Sequence, residues 1–359
     1  LGLLVVTLAE GGNFPVSDRD ISSMKVTGVE PSRRVFRLAS QLYPLTDEFI
    51  YHINNLNTTW KAGHNFRINI RMSHLLDLMG VYPDTQYTLP IKYHKHDTII
   101  PEEFDARKQW PYCPTIGEIR DQGACGACWA YSAVAAMSDR ICIHSNGKIH
   151  VQLSTEDLLT CCMNCGSGCK GGYPASAWQH WADFGIVSGG NYNSRQGCKP
   201  YGFPPCDHGM SGISTRPPCG PNKPTPQCNY YCQNGYNVDY NNDLNFGSEV
   251  YRISPEEKQI KLEIMKNGPV EADFLVFEDF LHYKTGVYKH EIGQLTGGHA
   301  VKILGWGVEK RTNTPYWLCA SSYNTEWGNN GYLLILRGQN ECNIESNIIA
   351  GLPELNNYK

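Results

Sequence analysis

Phe49, Ile53, Leu56 and Trp60 recur at offsets of four, seven and eleven after the polar triplet Thr46-Asp47-Glu48. That spacing predicts a capped amphipathic helix resting on a small core of its own. Between Ala127 and Asn146, apolar Trp129, Ala133, Val134, Met137 and Ile141 fall at helical spacing, and Asn146-Gly147 is a stop signal. A buried helix is expected there. From Val270 onward the grain changes, with Val287-Tyr288, Ala300 to Trp306, Pro315 to Cys319 and Tyr332 to Leu336 forming short strand-like runs between glycines and polar turns. A helical half followed by a β half predicts an α+β fold with a cleft between the halves. From Gly197 to Gly235 there is little periodicity but there are five cysteines, which marks a long loop that disulfides could stiffen.

The chain has 359 residues, a length for two domains or one enzyme built from two halves. With 41% hydrophobic and 18% charged residues and a mean hydropathy of -0.40, it can bury a core, and wholesale disorder or a polytopic membrane protein is excluded. A net charge of -4 argues against an electrostatic nucleic-acid binder. Fifteen cysteines make a disulfide framework and an oxidising compartment the expectation, and the odd count leaves at least one free thiol. The first run, Leu1 to Ala9, is too short to span a bilayer and fits the core of a clipped signal peptide. The expected destination is the secretory pathway, ending in the lysosome or outside the cell, and Asn57-Thr58-Thr59 is a glycosylation sequon consistent with it. Residues 10–99 hold no cysteine and read as a separate N-terminal module. Its last part, residues 81–99, with Tyr82-Pro83-Asp84 and the polar stretch Lys92 to Thr98, reads as an exposed linker open to proteolysis.

The chemistry concentrates at Gln122-Gly123-Ala124-Cys125-Gly126-Ala127-Cys128-Trp129. A loop here delivers Cys128 to a helix start, where unpaired N–H groups and the helix dipole favour a thiolate. Cys125 is better placed to pair with another cysteine. A lone cysteine of this kind is usually structural. However, Gly297-Gly298-His299-Ala300-Val301 puts a histidine at the mouth of a strand in the other half, and a helix-start Cys facing a strand-start His is the constellation of nucleophilic catalysis.

The run from Asp121 to Trp129, Gly297-Gly298-His299-Ala300 and Asn324-Thr325-Glu326-Trp327-Gly328 resemble the papain-like cysteine peptidases, most closely their cathepsin B-like branch. Asn57 to Phe66 resembles that branch's pro-segment, and Ile100 to Arg107 resembles the start of its mature enzyme. The likeness covers roughly residues 40–354. It implies a papain-like two-domain fold with a helical left half and a β-barrel-like right half, residues 100–359 as the peptidase, and residues 10–99 as an inhibitory pro-segment whose ordered core is about residues 40–80. Residues 198–219, with Pro204-Pro205-Cys206-Asp207-His208, resemble the branch's occluding loop.

By the same resemblance Cys128 is the nucleophile, His299 its acid/base partner, and Gln122 a donor to the oxyanion. The family's orienting Asn and shielding Trp are replaced here by Ser321 and Tyr323. Losing one orienting hydrogen bond costs about 1–3 kcal/mol, roughly 5- to 150-fold in rate, so a slowed enzyme is expected rather than an inert one. Substrate-binding residues implied are Gly171, Gly172, Tyr173, Pro174, Asp273, Ala300, Asn347, His208 and Trp327. Asn347 stands where the branch has a pocket glutamate and Asp273 where it has an alanine, so mainly apolar preference is expected, with modest tolerance of arginine. His208 is followed by Gly209 where a second carboxylate-clamping histidine would stand, which implies weakened removal of C-terminal dipeptides. Asp121 with His208, and Arg216 with Glu326, match the pairs that tether the loop.

The resemblance also implies the disulfides Cys113-Cys142, Cys125-Cys169, Cys161-Cys228, Cys162-Cys165, Cys198-Cys232 and Cys206-Cys219. No metal or cofactor is indicated, and Cys161 to Cys169 as a metal or iron–sulfur site is the weaker reading. Peptide and protein substrates, the pro-segment itself and cystatin-type inhibitors are the implied partners of a monomer that binds neither nucleic acid nor membrane. Acid release of the pro-segment is expected through groups such as His52, His64, His94 and His96. The competing reading is a secreted, non-catalytic relative that only binds peptides, although a pure binder has no chemical need for Cys128, His299 and Gln122 together.

Overall fold

The computed structural model describes residues 44–66, 70–83, 88–95, 98–207 and 216–355. The signal-like run, His96, His208 and Gly209 lie outside the described residues. The N-terminal stretch forms α1 (Asp47–Asn55), β1 (Trp60–Ala62), α2 (Met72–Leu76) and β2 (Ile91–Lys92). Next come β3 (Phe104–Asp105), α3 (Ala106–Gln109), α4 (Cys128–His144), α5 (Thr155–Cys161) and α6 (Pro174–Asp183). The second half contains β4 (Gly247–Ile253), α7 (Glu257–Asn267), β5 (Val270–Phe277) and β6 (Tyr283–Tyr288). It ends with β7 (Leu295–Glu309), β8 (Thr314–Ala320), β9 (Tyr332–Leu336) and β10 (Ile348–Pro353).

The hydroxyl of Thr46 caps α1 by accepting the Phe49 N–H at 3.3 Å, and Asp47 and Glu48 complement the dipole. The helix stops at Asn55, short of the expected Trp60, because Leu56 turns extended and the next polar, β-branched residues suit a strand better. Trp60 therefore opens β1, which pairs antiparallel with β6. Phe49 and Ile53 are buried, and Phe49 packs on His282 of the second half. α1 thus shares the main body's core instead of having its own.

α4 is buried on nearly every face and ends, as expected, at Asn146 and Gly147, both in left-handed conformation. It carries two charges into the interior. Asp139 meets Lys302 of β7 at 2.7 Å. Arg140 meets Glu263 of α7 at 2.8 Å and also donates to the carbonyls of Gly268, Pro269 and Gly351. Such pairs are costly to desolvate, and removing one partner costs about 3–5 kcal/mol.

The strands follow the order β1-β6-β9-β8-β7-β5-β10-β4-β2, with β3 added on β7. This is an open sheet, which corrects the β-barrel-like expectation. Both ends of the path, β1 and β2, belong to the stretch before residue 100, so the N-terminal module supplies its edges. All six disulfides implied by the resemblance are formed, leaving Cys128, Cys319 and Cys342 as thiols. Cys198, Cys206, Cys219, Cys228 and Cys232 are all bonded, as the aperiodic loop requires.

The expected linker is only partly a linker. Leu89 is buried, β2 runs parallel to Arg252 and Ile253 of β4, and Lys92 pairs with Glu249 at 2.9 Å. His94 is buried against Glu263 at 2.5 Å. Burial alone would raise Glu263, but Arg140 and His94 hold it down at about 2. Leu89 and His94 are the buried positions of this stretch while Ile91 and Tyr93 between them stay exposed, and residues 98–103 form no strand, with Ile99 92% exposed. In limited proteolysis of the intact chain, cuts within residues 88–110 are expected at 98–103 and not at 89–94, read by N-terminal sequencing. Early cutting beside His94 would show that this docking is not stable in solution.

Candidate active site

Three elements converge. The loop before α4 holds Gln122 and ends at Cys128, the first residue of the helix. Antiparallel β5 and β7 place His299 beside Phe274 and Ala300 beside Asp273. The turn after β8 carries Ser321, Ser322 and Tyr323. The Ala300 backbone donates to the Cys128 sulfur, which joins the two halves across the cleft.

Residues 78–82 thread this cleft. Gly80 donates its N–H to Cys128 Sγ at 3.2 Å, and Gln122 Nε2 donates to Leu78 O at 3.1 Å and to Cys125 O at 2.8 Å. Ser322 Oγ donates to Gln122 Oε1 at 2.7 Å, which fixes the amide's orientation. Gly172 donates to Gly80 O and accepts from Tyr82 N–H, each at 2.9 Å, in a parallel bridge centred on Val81. The Tyr82 ring stands edge-on to Tyr173 at 5.4 Å, beside Gly171 and the start of α6 at Pro174. Only glycine fits at position 80, because a Cβ there would lie 2.1 Å from the Gly126 carbonyl oxygen. This glycine between apolar Met79 and Val81 was the sequence signal of close approach, and sequence reasoning missed it.

His299 is fully buried. Its Nε2 lies 3.3 Å from Ser321 Oγ, at the long end of a hydrogen bond, and Ser321 itself borders a cavity of about 20 Å³ with Tyr131 and Ala135. Trp327 is buried among Phe280, Tyr283 and Tyr323. Asn347 Nδ2 donates to Asp273 Oδ2 at 2.7 Å, so the half-buried carboxylate is turned toward its neighbour. Arg216 pairs with Glu326 and lies 3.6 Å from Asp121.

The expectation that a helix start favours the thiolate is reversed while the cleft is filled. Burial pushes Cys128 up to about 12, only partly offset by the Ala300 and Gly80 N–H groups. Burial likewise pushes His299 down to about 3. In the covered site burial thus works against the thiolate and the imidazolium alike.

Residues 100–352 match the family model described as papain family cysteine protease, and residues 45–85 match that of the peptidase family C1 propeptide. This chain belongs to the papain family of cysteine proteases. Within the family it is similar to a cathepsin B-like cysteine proteinase of Schistosoma japonicum, 46% identical over 87% of this chain and 92% of that one. It is also 46% identical to cathepsin B-like cysteine proteinase 4 of Caenorhabditis elegans, over 89% and 96% of the two chains. Among solved structures, proCathepsin B S9 from Trypanosoma congolense superposes with a TM-score of 0.75 at 40% identity, covering 87% of this chain and 99% of that one. Procathepsin L 3 of Tenebrio molitor, at 19% identity and a TM-score of 0.61 over 89% of each chain, shares the fold. The chain is thus a cathepsin B-like cysteine peptidase with its propeptide, and residues 78–82 are that propeptide's passage through the cleft.

Two of the histidines named for acid release, His64 and His94, sit against carboxylates. His64 faces Asp47 at 2.6 Å and His94 faces Glu263 at 2.5 Å, so protonating either one tightens its pair. His282 behaves oppositely. It is buried under Phe49 without a hydrogen-bond partner of good geometry at either ring nitrogen. Burial lowers it from 6.5 to about 4, His64 pushes the same way, and Asp279 and the Gly63 backbone offset only part of this. Because the folded state favours the neutral ring, that contribution is whole above about pH 6.5 and is lost as pH falls toward 4. His282→Leu is expected to move propeptide release to lower pH, measured as the pH midpoint of activity onset. An unchanged midpoint would exclude His282 as the sensor.

Proposed function

We propose that the chain is the zymogen of a peptidase that cleaves mainly internal peptide bonds through Cys128 and His299, with reduced release of C-terminal dipeptides. The observation that carries this reading is the peptide backbone already lying on the candidate machinery, with an N–H on Cys128 Sγ and a carbonyl on Gln122. In a substrate the carbonyl carbon would meet the sulfur and its oxygen would meet Gln122 and the Cys128 N–H. The propeptide presents an N–H to the sulfur instead, and reaches the Tyr173 pocket after passing the sulfur, whereas a substrate would reach it before. It runs backwards, which accounts for its acting as inhibitor and not as substrate.

Removing it exposes Cys128 and His299 to water and relieves the burial that works against their charged forms. A thiolate then attacks the carbonyl carbon, and the imidazolium of His299 protonates the leaving amine as the C–N bond breaks. Water, deprotonated by His299, opens the thioester and restores the thiol. Ser321 orients the imidazole weakly from 3.3 Å. Gly209 after His208 leaves one cation where two would clamp a terminal carboxylate, which supports internal cleavage. At the pocket of Tyr173, Pro174, Ala300, Asp273 and Asn347, an arginine would have to compete with the bond between Asn347 and Asp273, which supports mainly apolar preference. We place the first cut of maturation at 98–103 and the enzyme in the secretory pathway, lysosome or extracellular space, in keeping with its six disulfides. No helix among the described residues is long and apolar enough to cross a membrane. Cystatin-type inhibitors remain proposed partners.

Matured protein is expected to take one equivalent of a peptidyl epoxide at Cys128 and to release internal fragments faster than C-terminal dipeptides. Cys128→Ser should abolish both labelling and hydrolysis. Absence of labelling would favour the peptide-binding relative, and faster dipeptide release would overturn the endopeptidase assignment. Ser321→Asn, with the adjoining cavity to accept it, is expected to raise kcat about fivefold or more at nearly unchanged KM. An equal or lower kcat would mean that Ser321 already orients His299 adequately.

A further inference from the structure

Tyr323 makes a contact that the family's tryptophan cannot. Its ring and the His299 imidazole have centroids 4.4 Å apart and planes 16° from parallel. At that separation two rings cannot lie side by side in one plane, so they are stacked, and the phenol oxygen stands roughly 3 Å above the imidazole. The 3.2 Å between Tyr323 Oη and His299 Nδ1 is therefore an approach to the face of the nitrogen. It does not use the in-plane lone pair that must accept a proton. While the propeptide is bound the hydroxyl hydrogen is directed elsewhere, since Tyr323 Oη donates to Met79 Sδ at 3.6 Å. What the oxygen turns to the imidazole is electron density.

We propose that the Tyr323 hydroxyl is a positioning group for His299, holding the imidazole by its face and favouring the imidazolium over the neutral ring. The proposal rests on reading Cys128 and His299 as the reacting pair. An oxygen over a ring that becomes positive is attracted to it, as is the π-face of the stacked ring beneath that oxygen. The surroundings supply no stronger influence. Phe274 on β5 meets His299 edge-on at 5.9 Å, and Ser321 is neutral. Cys128 at the start of α4 is the titratable group acting on Tyr323, and Glu271 of β5 acts on Cys128. Among the described residues no Asp, Glu, Lys or Arg pairs with His299. With Ser321 reaching only to 3.3 Å at Nε2, the two hydroxyls divide between them the work of one carboxamide.

The test compares matured wild type, Tyr323→Phe and Tyr323→Trp on one peptide substrate, each normalised to epoxide-titrated sites. Both variants keep a stacked ring and lose the oxygen. We expect kcat about three- to tenfold lower with KM within twofold, and the alkaline limb of kcat/KM moved down by about half a pH unit or more. Adding Ser321→Asn to Tyr323→Phe should recover most of the rate, because an in-plane acceptor makes the face contact dispensable. A merely structural role would lower the titrated site count without moving the limb, and that result would overturn the proposal. So would a limb unchanged at full titre. If the variants fold poorly, titrating the His299 imidazole by NMR in Cys128→Ser, with and without Tyr323→Phe, reads the same effect, and equal values overturn it. Wild type that takes no epoxide would refute the peptidase reading itself, a failure distinct from an unmoved limb in labelled enzyme.

Discussion

A helix surrounded by protein has no soft side on which to adjust, and α4 is such a helix. Its adjacent charges, Asp139 and Arg140, are satisfied by Lys302 on β7 and Glu263 on α7, so rotating or sliding the helix would strand two charges in the interior. Lys302 lies three residues beyond His299 on the same strand. The ion pair therefore fixes the helix that starts at Cys128 against the strand that carries the histidine. This buried lock holds the spacing of two residues that come from opposite halves.

How much of this could be read from the chain depends on where the controlling interaction lies. α4 and the strands of the second half were legible because their apolar periodicity and terminal signals are local, down to Asn146-Gly147 as the stop. Trp60 was misassigned because an offset of eleven fits a helix and a strand resumed after a break equally well. Only pairing with β6, more than 200 residues away, decides between them. The burial of Asp139 and Arg140 was invisible for the same reason, since a charged dipeptide on a helix ordinarily faces solvent. β4 and α7 carry weaker patterns, and the sequence reading passed over them.

At the candidate site, Cys128 and His299 were singled out by residue type and placement and Gln122 by the family resemblance, and the structure sets the three beside one stretch of backbone. Their protonation could not be read in this way. A helix start favours a thiolate only where the site is not sealed, and here Met79 to Tyr82 seal it. The side-chain pairing of Asp273 with Asn347 and the face contact of Tyr323 on His299 were likewise out of reach, because each depends on a rotamer chosen by neighbours far apart in sequence.

The docking of β2 separates two events that zymogen activation tends to merge. Scission at 98–103 would break no hydrogen bond of β2, no contact of His94 with Glu263 and none of the bonds of residues 78–82 in the cleft. It would change connectivity alone. The severed segment would stay as a bound ligand, its escape governed by a dissociation rate, and after leaving it could rebind from solution in competition with substrate. Freshly cut enzyme would then show a lag whose length depends on dilution, and crowding many copies into a small vesicle would prolong it.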